Sequence, residues 1–189
     1  MITMPTFYFE FDEGDQRRDV SICNYGLYTD GTYQMNTYIG SGVGKYRINW
    51  CKSRGTSDSR RDINFPLLRY SDVLLMYAEA LNEISYSNLQ NSEALVALNA
   101  VHTRAGLSPI LITELPDQDS FRSAIMLERQ QEFPYEGQRW FDLVRMGGAK
   151  EAMKAEGHII QDYQFLYPIP KTELERINNT ELLWQNTGY

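Results

Sequence analysis

Seven ionisable residues crowd into the segment SFRSAIMLERQQEFPYEGQRWFDLVRM: Glu128, Arg129, Glu132, Glu136, Arg139, Asp142 and Arg145 stand among bulky apolar side chains. Two chemistries suit such a pattern. Glu128 and Glu132 are four residues apart, which puts both carboxylates on one helical face, and glycosidases use carboxylate pairs roughly 5–10 Å apart. The competing chemistry is electrostatic. Burying an unpaired ion costs several kcal/mol, so charges beside a core pair or stay at its edge. Arg129, Arg139 and Arg145 are close in sequence, and a carboxylate held beside a guanidinium stays ionised, the wrong state for a general acid. A structural ion-pair network of these seven residues is therefore expected, with a glycoside hydrolase using Glu128 and Glu132 as the alternative. No catalytic residue is assigned.

Binding chemistry points elsewhere. The chain of 189 residues holds 13 Tyr, 8 Phe and 3 Trp, and rings of this kind carry both packing and ligand contact. Tyr28, Tyr33, Tyr38, Tyr46 and Trp50 fall in Gly-rich loops, where function concentrates, and are the candidate ligand-binding residues. Packing of these rings onto a helical body is the competing reading for each. Asp12, Glu13, Asp15 and Asp19 form an acidic run without the spacing of a calcium loop. Cys23 and Cys51 lack any metal-ligand spacing, and with His102 and His158 the sole histidines neither a zinc site nor another cofactor is expected. The two cysteines are either free thiols or one disulfide. A formal charge of −7 without any Lys/Arg block excludes a nucleic-acid binder, which needs a positive field.

These residues need elements to hold them. Residues 1–62 are rich in Gly, Tyr, Asp and Thr and read as an irregular segment, with strands at Thr6–Phe11, Asp19–Tyr25, Tyr33–Tyr38 and Lys45–Asn49. Residues 63–189 read as helical. In Leu67–Glu83 the residues Tyr70, Val73, Leu74, Tyr77, Ala78 and Leu81 recur at helical spacing and predict one apolar face. Asn91 or Ser92 caps a second helix that Gly106 ends, giving a helical hairpin of tetratricopeptide-like length. Asp119 or Ser120 starts a third helix that Pro134 stops. Gln138–Met146 and Ala149–Glu156 follow, Trp140 and Phe141 being core candidates. Phe165–Pro170 runs extended, Thr172–Glu175 is a capping box, and the tail Asn178–Tyr189 lacks a helical face. The start, MITMPTFYFEFDEGD, has no basic then apolar stretch, so a signal peptide is not expected there. No run approaches the roughly 18 apolar residues of a membrane span.

Several segments, in order, resemble the SusD/RagB family. Glu13–Asp19 is similar to its D-x-R element, and Phe65–Glu83 to its P-x-x-R-Y helix ending A-E-A. Leu98–Gly106, LNAVHTRAG, resembles L-N-x-V-R-x-R-A-G with His102 where Arg is usual. Glu128-Arg129 with Glu136–Leu143 resembles E-R followed by E-G-x-R-W-x-D-L, while Tyr167–Pro170 and Gln185–Tyr189 resemble P-I-P and Q-N-P-G-Y, with Thr187 in place of Pro. The resemblance implies a mainly α fold, SusD-like, with an irregular, strand-containing N-terminal third, in one structural unit that belongs to a longer domain. It covers the C-terminal portion of the family pattern. It also implies non-catalytic binding of a glycan at the outer-membrane surface, for uptake by a SusC-like TonB-dependent transporter. Contact with the membrane would then be through a lipid anchor that this sequence does not contain. A protein-interaction or scaffold role stays open beside it.

Overall fold

A capping side chain gives an amphipathic helix its start, and this chain places one before each of its two long central helices that follow the hairpin turn. The computed structural model describes residues 5–27, 33–35, 42–46, 64–86 and 92–189. Helix α3 spans Tyr70–Ser85, and α4 spans Glu93–Arg104 with the Ser92 hydroxyl accepting from the Leu95 amide. Gly106, at φ +91°, takes the left-handed turn that follows α4. Helix α5, Gln118–Glu132, starts earlier than expected because Asp117, not Asp119 or Ser120, is its cap. The Asp117 carboxylate accepts from the Ser120 amide at 2.7 Å, and the Ser120 hydroxyl accepts from the Asp117 amide at 3.1 Å. Pro134 lies two residues past the last helical residue of α5, where its missing N–H forbids continuation.

These three helices bury one core. Leu75 and Ala78 of α3 meet Ala94, Ala97, Leu98 and Val101 of α4, closed by Phe121 and Ile125 of α5 with Leu115 and Phe133. The buried side of α3 differs from the expected one. Ser71, Asp72, Leu75, Ala78 and Asn82 are inside and Leu74 and Leu81 pack at the margin, whereas Tyr70 (75% exposed), Val73 and Tyr77 face out. The helix is apolar on two sides, so periodicity alone marks neither, and polar groups are buried because partners exist for them. Asp72 takes the Arg129 guanidinium, and Asn82 exchanges hydrogen bonds with Gln118 at 3.2 and 2.9 Å.

The N-terminal third holds more helix than its alternating pattern suggests. Thr6–Phe11, expected as a strand, overlaps helix α1 (Pro5–Tyr8) and the turn after it, which brings the Phe7 and Phe11 ring centroids 5.1 Å apart. Asp19–Tyr25 is likewise no continuous strand. Helix α2 (Gln16–Ser21) runs through Asp19 because the Asp15 carboxylate caps it, accepting from the Arg17 amide at 2.8 Å. Strands β1 (Ile22–Cys23) and β2 (Tyr25–Leu27) follow it. Strand β2 pairs antiparallel with β3 (Tyr33–Met35), and β1 with β4 (Gly42–Val43), in register Ile22 to Val43. Lys45 and Tyr46 form a turn where a strand was expected, Arg47–Asn49 lying outside the described residues. Gly44 is needed here: a Cβ would come 2.4 Å from the Val20 carbonyl oxygen. Cys23 is unpaired, its thiol donating to the Tyr25 carbonyl, and Cys51 lies outside the described residues.

The chain divides into two compact units, Met1–Arg139 and Trp140–Tyr189. The second carries most of α6 (Arg139–Arg145), α7 (Ala149–Ala155) and α8 (Lys171–Ile177). Helix α8 begins at Lys171 after Pro170, so Thr172 lies inside it and does not cap it; Pro170 already supplies the helical entry. Trp140 stacks on Phe165 with centroids 6.3 Å apart, but Phe141 is exposed, not core. The tail is tied back by side chains. The Gln185 amide accepts from Ile169 N–H at 2.8 Å and donates to Ile169 C=O at 3.0 Å, reproducing both bonds of a strand pair.

Phe121 is fully buried, so Phe121→Ala should destabilise the fold by about 3–5 kcal/mol. The exposed Val96→Ala should stay within about 0.5 kcal/mol of the parent. Urea midpoints for the two variants check this.

Candidate functional site

The C-terminal turn of α5 and the residues after it present three buried carboxylates, Glu128, Glu132 and Glu136. Their partners come from elements distant in sequence. Arg17 on α2 places Nη1 2.5 Å from Glu128 Oε1 and 3.5 Å from Glu132 Oε2, while its Nη2 donates to Asp15 at 2.7 Å. Arg69, just before α3, bridges Glu132 (2.7 Å) and Glu136 (2.8 Å) and also donates to the Glu132 carbonyl at 2.9 Å. Arg104, the last residue of α4, reaches Glu132 Oε2 at 2.5 Å. Lys45, delivered by the turn that Gly44 permits, pairs with Glu136 and donates to the Glu132 carbonyl at 2.5 Å. His102 Nδ1 lies 2.8 Å from Glu128 Oε2.

The electrostatics follow from burial set against pairing. Burial pushes the Glu132 carboxyl up, but hydrogen bonds from Arg69 and Arg104 outweigh it and hold the group below its ordinary range. Burial also pulls Arg17 and Arg69 down, and their carboxylate partners more than reverse it, leaving both raised. For Lys45 burial wins over the Glu136 contact and the ammonium is held below its usual value. A lysine is a compact, strongly hydrated charge, so it loses more on desolvation than a guanidinium does. Glu132 is thus fixed in its anionic form, unsuited to donate a proton.

A cleft of about 500 Å³ opens beside this cluster, lined among others by Arg17, Arg69, Arg104, Glu132, Tyr46 and Pro66. Tyr46 stacks on Phe65 at 5.6 Å and 26°; its hydroxyl is buried, with no hydrogen-bond partner among the described residues. Burial, then the Glu136 charge, pushes that phenol up. Of the other candidate ligand-binding residues, Tyr33 is described through its backbone in β3, and Tyr28, Tyr38 and Trp50 lie outside the described residues.

Of the seven charges singled out from the sequence, Glu128, Glu132 and Glu136 meet this cluster of distant cations. Arg129 takes separate partners, meeting Asp72 at 2.7 Å and Gln138 at 2.8 Å, and Gln138 donates to Asp72 at 3.2 Å. Phe133 separates the two arginine sites, with Arg69 and Arg129 guanidinium carbons 4.8 and 5.2 Å from its centroid. In the second unit Asp142 and Arg145 pair at 2.8 Å. Arg139 opens α6. Sequence spacing did not single out Arg17, Lys45 or Asp72, because these approach α5 from 57 to 115 residues away. Among the described residues no three His, Cys, Asp or Glu side chains converge as metal ligands.

Comparison with known proteins places this geometry. The SusD family model matches residues 5–189. SusD-like protein P2 of Formosa agariphila is 31% identical over 96% of this chain and 39% of that protein. Among solved structures, surface glycan-binding protein A from Bacteroides fluxus is 29% identical with a TM-score of 0.68, covering 98% of this chain and 40% of its own. A SusD superfamily protein from Bacteroides vulgatus reaches a TM-score of 0.69 at 24% identity, over 98% and 43%. The chain therefore spans about two fifths of the length of these relatives.

Glu132 supplies a pH test. Its folded pKa lies below the unfolded value of about 4.3, so its contribution is present above that value and is lost as pH falls through the folded pKa. Glu132→Gln should destabilise the fold at pH 7 by up to about 3–5 kcal/mol, since it removes the anion that Arg69, Arg104 and Arg17 share. Urea midpoints between pH 7 and pH 3 should fall less steeply for Glu132→Gln than for the parent.

Proposed function

Because this chain belongs to the SusD family, we propose that it takes part in capturing glycans at the outer-membrane surface, without catalysis, for import by a SusC-like TonB-dependent transporter. The observation that carries the reading is the match over residues 5–189 together with the likeness to a surface glycan-binding protein. The state of the carboxylates supports binding over hydrolysis. Glu128 and Glu132 share the Arg17 guanidinium, and Glu132 holds two further arginines that keep it below its ordinary range, so Glu132 is not poised as the protonated acid that glycoside cleavage needs. In this reading the seven charges of Glu128–Arg145 hold the scaffold. Tyr28, Tyr33, Tyr38, Tyr46 and Trp50 are the candidate ligand-binding residues, and Tyr46 lines the cleft.

A protein-interaction role has one observation in its favour. Leu67, Leu68, Tyr70, Val73 and Ile84 are exposed on and just before α3, more apolar surface than a free helix side ordinarily shows. Light scattering of the purified chain tests it, since docking through this face gives dimers that Tyr70→Glu dissolves.

The main reading is tested by incubating the chain with soluble polysaccharides. Retardation in affinity gels, without any rise in reducing ends over a day, is the expected result. Reducing ends that appear with the parent and vanish with Glu128→Gln would establish a hydrolase instead.

A further inference from the structure

The second unit contains a cleft that the family-derived reading does not use. It is about 600 Å³, within the roughly 300–1,000 Å³ of small-molecule sites, and is lined by Leu174, Asn178, Thr180, Glu181, Leu183 and Trp184 among others. Trp184 is 67% exposed, although a tryptophan side chain gains strongly from burial. Its backbone is held on both sides. Before it, the Asn179 carbonyl accepts from Leu182 and Leu183, and the Asn179 side chain accepts from the Glu181 amide at 2.9 Å. After it, Gln185 is locked to both backbone groups of Ile169, and the Asn186 amide donates to the Gln185 side chain at 2.9 Å. An exposed indole on so fixed a segment presents a flat apolar face at little entropic cost on binding.

The polar groups beside it are unspent. The Asn178 amide, the Thr180 hydroxyl and the Glu181 carboxylate have no hydrogen-bond partner among the described residues. Asn178 caps α8 in the left-handed conformation at φ 46°, which turns the chain at the end of the helix where the cleft lies. A flat ring flanked by an amide, a hydroxyl and a carboxylate suits a ligand with an apolar C–H face and many hydroxyls. A cation would lack converging carboxylates, since Glu181 is the only acid among the lining residues, and an anion would meet that same charge.

We infer that Trp184 is the stacking platform of a neutral-saccharide subsite on the second unit, with Asn178, Thr180 and Glu181 taking the sugar hydroxyls. This rests on the glycan reading above and adds to it a position and a ligand class. A second contact point on one chain would raise avidity for long glycans over short ones.

The test uses this chain with three neutral probes, laminarihexaose, maltohexaose and cellohexaose, followed by calorimetry and by the indole N–H resonances. Trp184→Phe, by removing one resonance, assigns the Trp184 signal. The expected result is binding of at least one probe with the Trp184 signal shifting. Trp184→Ala should then weaken binding about tenfold, with the melting temperature unchanged because the ring is exposed. Binding that leaves the Trp184 resonance unmoved, or that Trp184→Ala does not weaken, overturns the subsite and leaves the glycan reading standing. If no probe binds the parent chain, the subsite is overturned, and retardation by polysaccharides in affinity gels decides the glycan reading separately. Should Trp184→Ala fail to fold, the resonance shift in the parent chain decides.

Discussion

The interaction on which the first unit depends is the neutralisation of Glu132. Its side chain is 2% exposed, and an ion taken that far from water without partners costs several kcal/mol. Arg69, Arg104 and Arg17 relieve that cost, and each arrives on a different element. The segment before α3, the end of α4, helix α2 and the turn carrying Lys45 must therefore all be in place at once. Pairs of this kind do not always stabilise a fold more than apolar residues of the same shape would. Their effect here is on arrangement: the end of α5 tolerates only one placement of its neighbours, since any other leaves a buried charge alone.

Apolar packing sets the frame within which this happens. Leu75, Ala78, Leu98, Val101, Phe121 and Ile125 bring α3, α4 and α5 together, and Phe133 joins core to charge by stacking against two guanidinium groups. Small residues on α4, Ala94 and Ala97, allow close approach to α3. The Arg129–Asp72–Gln138 cluster adds a second tie between the end of α5 and the start of α3.

The Glu132 carboxylate, locked in guanidinium hydrogen bonds, is held in its ionised form, the wrong state for a general acid. In the second unit the same economy is achieved with neutral groups. Gln185 and Asn186 bind the backbone at Ile169 and Tyr167, and Tyr189 donates to the Leu166 carbonyl, so a tail without regular structure is nonetheless anchored.

Much of this was legible in the residues themselves. Helical spacing and end signals act over three to five positions, so the existence of α3, α4, α5, α6 and α7, the break before Pro134 and the turn at Gly106 could be read directly. The ordered motifs from Glu13 to Tyr189 carried the family. Where local signals conflict, reading failed: Thr6–Phe11 alternates like a strand, yet a short helix and turn bring Phe7 onto Phe11, and the cap at Asp15 carries helix through Asp19. Tertiary structure alone decided which side of α3 is inside, because both sides are apolar and the contacts from Arg129 and Gln138 make burial of Asp72 tolerable. It alone assigned the charge partners as well. The seven charges between Glu128 and Arg145 announce that pairing must occur. That Glu128 pairs with Arg17, 111 residues away, and Glu132 with Arg69, 63 residues away, is settled by how the helices pack. Spacing along a chain reports neighbours within a turn or two of helix, and a salt bridge requires only neighbours in space.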